Sequence, residues 1–236
     1  MSEFMNNFDS KRIKSIVFNH GADLCGIAPQ KRFSEAPRGF APTDIYAECK
    51  SVIVFAKRLP IGSGPLQNSV PYTFVNHMIM EKVDKLTFDL CLYFQELDIN
   101  AIPIPSDDPY EYWIQEKQYG RAILSLRHAG FLAGLGVMGK NTLLMNQKYG
   151  NMIQLGAILT DLEIEGDPPA TYEGCPPGCN ICIEACPVNA LDGETVEQSL
   201  CRPRSIVKTT KGYTLKKCNI CRVVCPHYAG IDRHGD

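Results

Sequence analysis

Hydrophobic positions recur every three or four residues over residues 72–97, and this period predicts one long helix with an apolar face. A shorter helix is predicted over 9–20, where Asp9 can cap the first turn and Gly21 ends the pattern. The long stripe consists of Val75, Ile79, Val83, Leu86, Leu90, Phe94 and Leu97. Such a stripe is more typical of core packing than of a cofactor site.

Short apolar runs between the helices predict the strands. Residues 51–56 form a compact, β-branched run, which is the clearest signal for a buried strand. The polar, aromatic segment 106–120 contains Trp113 and is interpreted either as a lid over a site or as an ordinary surface loop. The weaker strand candidates are 22–28, 98–104, 142–145 and 151–160. This mixture of helices and strands predicts an α/β (α+β) fold.

A glycine-rich segment follows a helix predicted over 121–133. Its glycines match both GxGxxG and the start of a Walker A loop, but both nucleotide motifs need a strand before the glycines and a helix after them. Here the predicted order is the reverse, so we expect neither NAD nor ATP to bind. Glycines also let a backbone approach a large ligand closely. The residues concerned are Gly134, Gly136 and Gly139, followed by Lys140, Asn141 and Thr142.

Eight of the eleven cysteines lie between residues 175 and 226, in two related runs. The first run reads CPPGCNICIEACP and the second reads CNICRVVCP, and both end in the CxxCxxxCP spacing of bacterial ferredoxins. In such proteins the last cysteine of each run binds the other cluster. Cys201, which lies alone between the runs, is available to complete the second set.

Crossed ligation uses all eight thiolates and predicts two [4Fe–4S] clusters. Two four-cysteine zinc sites are the alternative, although zinc does not require the CxxxCP ending twice. The predicted ligands are Cys175, Cys179, Cys182 and Cys225 for the first cluster, and Cys186, Cys201, Cys218 and Cys221 for the second.

Composition narrows the class of protein. The 236 residues carry a formal net charge of −2, which gives no overall attraction to nucleic acid or to an anionic membrane. No apolar run reaches the ~20 residues of a membrane span, and the N-terminus does not look like a signal peptide. Eleven cysteines without an export signal favour metal binding in a reducing cytoplasm. Cys25, Cys49 and Cys91 lack ligand spacing and are predicted to be buried structural thiols.

The second cysteine run is basic. Seven cationic residues and no acidic residue lie between Cys201 and Cys225. Balance of the anionic clusters is the simplest interpretation, docking of an acidic electron donor is the second, and contact with RNA phosphates ranks third. The residues are Arg202, Arg204, Lys208, Lys211, Lys216, Lys217 and Arg222.

The glycine segment and the cysteine runs together carry a family resemblance. The stretch AGLGVMGKNTLLMNQKY at 133–149, the following LGAILTDLEI and the cysteine pattern resemble the epoxyqueuosine reductase family. The segments GADLCGIAP and CKSVIVFAKRLP near the start are similar as well. The resemblance spans nearly the whole chain in a short form, without the helical-repeat region that usually follows in that family.

The resemblance implies a nitroreductase-like core, related to reductive dehalogenases, that binds cobalamin or another corrinoid close to one cubane. It implies domains at 1–165 for this core and at 166–236 for a bacterial ferredoxin-type two-cluster module, with an acidic, proline-containing boundary at 161–172. The residues implied to line the corrinoid site are Gly134, Gly136, Gly139, Lys140, Asn141, Thr142, Leu144 and Leu155.

The implied function is a corrinoid-dependent iron–sulfur reductase that receives low-potential electrons from a ferredoxin or flavodoxin. The family's catalytic aspartate has no counterpart at its usual place, where Gly120 and Arg121 stand; Asp107 and Asp108 are the nearest candidates. The alternative is therefore an electron-transfer protein that holds or reduces a corrinoid for a partner enzyme and has no substrate of its own. A corrinoid protein is a further candidate partner, tRNA ranks lower, and no membrane partner is expected.

Overall fold

The computed structural model describes residues 8–231, so the outermost parts of the two predicted domains, residues 1–7 and 232–236, lie outside the described residues. The helices are α1 (Ser10–Asn19), α2 (Pro42–Ile45), α3 (Ser69–Glu96), α4 (Leu126–Leu132), α5 (Ile181–Glu184), α6 (Gln198–Ser205) and α7 (Ile220–Val223). The strands are β1 (Leu24–Pro29), β2 (Ser51–Arg58), β3 (Ala101–Ile104), β4 (Tyr112–Ile114), β5 (Tyr119–Arg121), β6 (Val137–Met138), β7 (Leu144–Met145), β8 (Ile153–Thr160), β9 (Ile206–Lys208) and β10 (Thr214–Lys216).

The centre of the fold is a four-stranded sheet in the order β1–β2–β8–β3, and each neighbouring pair is antiparallel. Strand β2 is the best-predicted strand, and it extends to Arg58 because its last residues continue to pair with β8. Its first six residues are buried, as expected for a strand covered on both faces.

Side chains of β2 alternate between two hydrophobic clusters, one on each face of the sheet. Val52, Val54 and Ala56 belong to the cluster that also contains Ala129 of α4. Ile53 and Phe55 face the other way. That second cluster contains Ile13 and Val17 of α1 together with Val83, Leu86, Leu90 and Phe94 of α3. The predicted core stripe of α3 is thus confirmed, with Ile79 and Val75 in a third, smaller cluster.

Both predicted helices begin at side-chain caps. Asp9 accepts a hydrogen bond from the backbone N–H of Arg12 at the start of α1, as its sequence position predicted. Helix α3 begins three residues earlier than predicted, because Asn68 caps it by accepting from the backbone N–H of Val70. In the described part of the chain, no helix has both the length and the apolar character needed to cross a membrane.

The segment predicted as a loop over 106–120 contains a hairpin instead. Strands β4 and β5 pair with Tyr112 opposite Arg121, and a single helical turn at Gln115–Lys117 joins them. The helix predicted over 121–133 is therefore wrong in its first part, because Arg121 is in the hairpin and α4 starts only at Leu126. All three residues of β4 are exposed, so no alternation of apolar residues marked it in the sequence.

The segment between the sheet and the cysteine runs is joined to the core by hydrogen bonds. The N–H of Ile164 donates to Ser51 Oγ, and the N–H of Asp167 donates to the carbonyl of Ile27. The Asp167 carboxylate accepts from Lys14 Nζ at 2.5 Å and from the N–H of Ile27 at 2.9 Å. We call residues 161–172 the connector. It coincides with the segment predicted as the domain boundary, and hydrogen bonds fix it to β1, β2 and α1.

Candidate metal and cofactor site

The first predicted set of cysteines lies around one small cavity. Cys175, Cys179, Cys182 and Cys225 all line it, and Asn141 and Met145 of the core complete the wall. The sulfur atoms of Cys225 and Met145 are 3.8 Å apart. Cys225 of the second run thus lies beside three cysteines of the first run that precede it by 43 positions or more.

The second predicted set is linked by electrostatic effects between its thiols. Burial is the main cause that raises the pKa of Cys201, and the neighbouring Cys218 and Cys186 raise it further. Burial likewise raises the pKa of Cys221 to about 11, while Arg222 opposes this effect and Cys201 and Cys218 add to it. Buried thiols of this kind remain protonated at neutral pH unless a metal displaces the proton.

The donor chemistry of both sets fits an iron–sulfur cluster. The backbone N–H of Lys140 points at Cys175 Sγ, 3.4 Å away, and that of Ala190 points at Cys186 Sγ, 3.2 Å away. Such N–H···S bonds stabilise cluster thiolates and tune cluster potentials. Among residues 8–231, no three His, Cys, Asp or Glu side chains form a group that could hold a single metal ion. Cluster ligands bind different iron atoms, so they do not have to converge on one point.

A much larger cavity, of about 1050 Å³, lies beside the second set. This volume is at the upper end for small-molecule sites, so it suits a large ligand. Ile153, Leu155 and Leu144 provide apolar wall from the core. Cys201 and Arg202 of α6 provide wall from the cysteine module. We call this space the large cavity; Cys201 is a residue that it shares with the predicted second cluster.

The large cavity is rich in arginine. Its wall contains two carboxylates, those of Glu35 and Asp107. In the part of the chain that the structure describes, none of its arginines forms an ion pair with a carboxylate. The arginines in the wall are Arg32, Arg121, Arg127, Arg202 and Arg222. The cavity therefore has a surplus of positive charge that favours anionic groups on its ligand.

The glycines of the predicted ligand-binding segment contact the protein itself. A Cβ on Gly136 would lie 2.3 Å from the carbonyl oxygen of Met145, and one on Gly134 would lie 2.2 Å from that of Pro168. Gly139 is similarly close to Asn141 and Met145. The absence of side chains at these positions therefore lets the backbone around the β6–β7 hairpin pack closely against its neighbours. Approach of the same backbone to a ligand stays a prediction.

The polar residues of the same segment join the core to the cysteine module. Asn141 Nδ2 donates to the carbonyl of Cys221, and Lys140 Nζ donates to Asn180. Thr142 accepts a hydrogen bond from Arg127. Of the eight residues predicted to line a corrinoid site, Leu144 and Leu155 border the large cavity. The other six lie elsewhere, and their contact with a corrinoid stays a prediction.

The two candidate aspartates differ in position. Asp107 lies in the wall of the large cavity, whereas Asp108 is exposed and does not line it. The hydroxyl of Tyr110 donates a hydrogen bond to Asp107. Burial, together with this hydrogen bond, raises the pKa of Tyr110 to about 12, although Arg202 acts in the opposite direction. Asp107 and Tyr110 thus form a hydrogen-bonded pair of acidic side chains in this wall.

Known proteins share both the sequence pattern and the fold. An epoxyqueuosine reductase of Lactococcus garvieae is 39% identical over 115 residues, covering 43% of this chain and 31% of that protein. The corresponding protein of Gloeobacter violaceus is 32% identical over 136 residues, covering 52% of this chain and 38% of that protein. The chain is similar in sequence to the epoxyqueuosine reductases. The resemblance predicted from the sequence is thereby confirmed, although no protein-family model matches the chain.

Solved structures agree on the fold. The epoxyqueuosine reductase of Streptococcus thermophilus superposes with a TM-score of 0.63 over 96% of this chain and 68% of its own, at 20% identity. The catabolic reductive dehalogenase NpRdhA gives 0.70 over 95% of this chain and 32% of its own, at 17% identity. An epoxyqueuosine reductase with a tRNA-Tyr stem loop gives 0.58. The matched part spans about a third of the length of the curated epoxyqueuosine reductases.

The sequence did not predict which polar residues line the large cavity. Tyr110, Arg127 and Gln198 each border it, and none was predicted. Tyr110 lies three residues after Asp107, and this short spacing is the sequence feature that could have predicted their hydrogen bond. Gln198 contacts Gly120, 78 residues away in the chain, and no local pattern indicates such a contact.

Proposed function

We propose that this chain is a corrinoid-dependent iron–sulfur reductase, with a nitroreductase-like core over 1–165 and a bacterial ferredoxin-type module over 166–236. The position of Cys201 carries the proposal. It belongs to the predicted second cluster and also lines the large cavity. A cluster held by Cys186, Cys201, Cys218 and Cys221 would therefore stand at the wall of a cavity sized for a large cofactor.

The residues present fit both cofactors. The first cluster would be held by Cys175, Cys179, Cys182 and Cys225, which line one small cavity. A corrinoid carries amide arms and a phosphate, and the arginine-rich wall of the large cavity supplies donors for both. When bound, the corrinoid would supply a low-valent cobalt and the clusters would supply its electrons.

In this proposal, a side chain of the protein donates the proton that the reduction requires. Tyr110 keeps its proton at neutral pH, since its pKa is about 12. In our proposal it gives this proton from its hydroxyl oxygen to the reduced substrate, and the neighbouring Arg202 guanidinium, which acts to lower the pKa of Tyr110, stabilises the phenolate left behind. In the resting site Asp107 accepts the hydrogen bond of this hydroxyl. The O–H therefore turns from Asp107 to the substrate when the proton is given, and a proton from solvent restores the phenol afterwards. This arrangement provides an acid without the aspartate that the family carries elsewhere.

A second candidate function is favoured by that missing aspartate. The chain would then hold or reduce a corrinoid for a partner enzyme, such as another corrinoid protein, and would transform no substrate itself. For both functions we propose a cytoplasmic location and an electron donor such as a ferredoxin or flavodoxin. A tRNA substrate is suggested by the solved epoxyqueuosine reductase that carries a tRNA stem loop.

The test begins with cofactor content. Anaerobically reconstituted protein should contain iron and sulfide for two cubanes per chain and should retain cobalamin through gel filtration. Stoichiometric zinc without iron-dependent absorbance would exclude the cluster assignment. Failure of cluster-loaded protein to retain any corrinoid would exclude both functions, and a two-cluster ferredoxin would remain.

Turnover separates the two functions. Loaded protein is supplied with a chemical reductant and an epoxyqueuosine-containing tRNA stem loop, and the nucleoside product is measured by mass spectrometry. Formation of queuosine supports the reductase. The assay is repeated with halogenated aromatic substrates. If cobalt is reduced but no product forms from any of these substrates, the electron-transfer function is favoured.

A further inference from the structure

The hairpin β4–β5 is held to helix α6 by a side chain that takes the place of a neighbouring strand. Gln198 Oε1 accepts from the backbone N–H of Gly120 at 3.1 Å, and Gln198 Nε2 donates to the carbonyl of Gly120 at 3.0 Å. One amide thus satisfies both backbone groups of a buried glycine. A Cβ at Gly120 would lie 3.0 Å from the Trp113 ring, so the glycine lets this ring pack closely against the hairpin backbone.

One turn further along α6, Arg202 holds the aromatic side of the same wall. Its Nε donates to Gln198 Oε1 at 3.0 Å. Its guanidinium carbon lies 5.3 Å from the ring centre of Tyr110 and 5.0 Å from that of Trp113. Contacts of a guanidinium with aromatic rings at this distance are attractive, more so when they are partly shielded from water. The two residues therefore fix both the hairpin and the proposed proton donor.

Neither element has much stability of its own. Helix α6 has eight residues, contains Pro203 and buries no residue. A helix of this length is not stable in isolation, and a single two-stranded hairpin is marginal in water. The strand β4 is exposed throughout. Helix α6 must therefore be held in place by contacts with other parts of the protein. Cys201, which lies between Gln198 and Arg202, is its predicted link to the second cluster.

We propose that Gln198 and Arg202 are positioning residues that transmit the loading of the second cluster to the wall of the large cavity. Ligation of Cys201 fixes α6, α6 fixes the hairpin through Gln198, and Arg202 fixes Tyr110. The wall is complete when the cluster is present, so an enzyme without its second cluster does not hold its proton donor in place. This inference rests on the proposed ligand set.

Hydrogen exchange of the amides over 112–121 tests the proposal in cluster-loaded, cobalamin-free protein. Cys201→Ala should lose the second cluster and exchange these amides at least about tenfold faster, because two hydrogen bonds lose their fixed partner. Cys175→Ala is the matched control: it removes a ligand of the first cluster and should leave the hairpin protected. If Cys201→Ala has lost the second cluster and its hairpin amides are still as protected as those of Cys175→Ala, the coupling is overturned. The proposed function would remain intact.

Two variants in α6 test the same coupling without removal of a cluster ligand. Gln198→Ala should expose the hairpin to exchange while iron and sulfide content stay at the wild-type level. Arg202→Lys keeps the charge but loses the planar contact, so it should preserve hairpin protection better than Gln198→Ala while increasing quenching of Trp113 fluorescence by acrylamide. Unchanged exchange in Gln198→Ala overturns the coupling. If Cys201→Ala retains both clusters, the ligand set and the coupling both fall.

Discussion

At the scale of single residues, Tyr110 bears most directly on the proposed chemistry. Tyr110→Phe removes one hydroxyl and leaves the ring contacts with Arg202 and Trp113 in place. We expect single-turnover reduction of substrate to slow by about a hundredfold, which is typical for loss of a general acid. Cobalamin retention and iron content should not change. A wild-type rate in this variant would exclude Tyr110 as the proton donor.

The same residue gives a pH prediction. Because the pKa of Tyr110 is about 12 when folded, this phenol should be absent from the tyrosinate absorbance that develops near pH 10. A phenol whose pKa is raised on folding stabilises the fold below about pH 10, and that contribution is lost as the pH rises towards 12. Difference titration of wild type against Tyr110→Phe at 295 nm measures this single group. Its titration near pH 10 would contradict the prediction.

The three cysteines outside the two sets should be chemically inert. Burial is the main cause that raises the pKa of Cys25 to about 12, of Cys49 to about 11 and of Cys91 to about 12. At pH 8 roughly one in a thousand or fewer of these thiols is ionised, and the thiolate is the reactive form. Iodoacetamide should therefore label them slowly in folded protein and rapidly in urea, as read by mass spectrometry. Rapid native labelling would show that they are accessible thiolates.

At the scale of elements, the hairpin β6–β7 depends on a glycine. Gly136→Val places a side chain against the carbonyl of Met145 and should destabilise the fold by about 3 kcal/mol. Met145 also lines the small cavity, so the first cluster should be lost as well. Gly62→Val is the control, because nothing lies within 4 Å of a Cβ at that position. Urea unfolding and iron analysis measure the two effects; full iron content in Gly136→Val would contradict the link.

The elements differ in how well the sequence predicted them. Strands β2 and β8 and helices α1 and α3 were placed within a few residues, because each carries apolar residues at its own period. The hairpin β4–β5 was missed, since contacts from α6 hold it and its own strand β4 is exposed. The sequence likewise grouped the cysteines by spacing, whereas the large cavity is made by chain segments far apart. Its arginine-rich wall has no local signature.

At the scale of the whole molecule, the connector links the central sheet to the cysteine runs. Asp167 accepts from Lys14 and from the backbone of Ile27, and its own carbonyl accepts from Arg32. Asp167→Ala should lower the free energy of unfolding by about 2 kcal/mol, because a charged acceptor of partly buried donors is removed. Asp89→Ala is the control, since its exposed pair with Lys85 should contribute less than about 0.5 kcal/mol. Urea unfolding of loaded protein measures both. Equal effects of the two substitutions would show that the connector is not fixed in this way.

The hydrogen bonds of the connector also have a kinetic consequence. Electron tunnelling between two redox centres falls off steeply with the gap between them, and it tolerates little variation in that gap. A flexible tether would make each transfer wait for a favourable approach of the two parts. Here Ile164 and Asp167 are bonded to β2 and β1, and Asn141 is bonded to the cysteine module from the other side. In the proposed reductase, a chain joined at both places would keep the tunnelling gap constant from one turnover to the next.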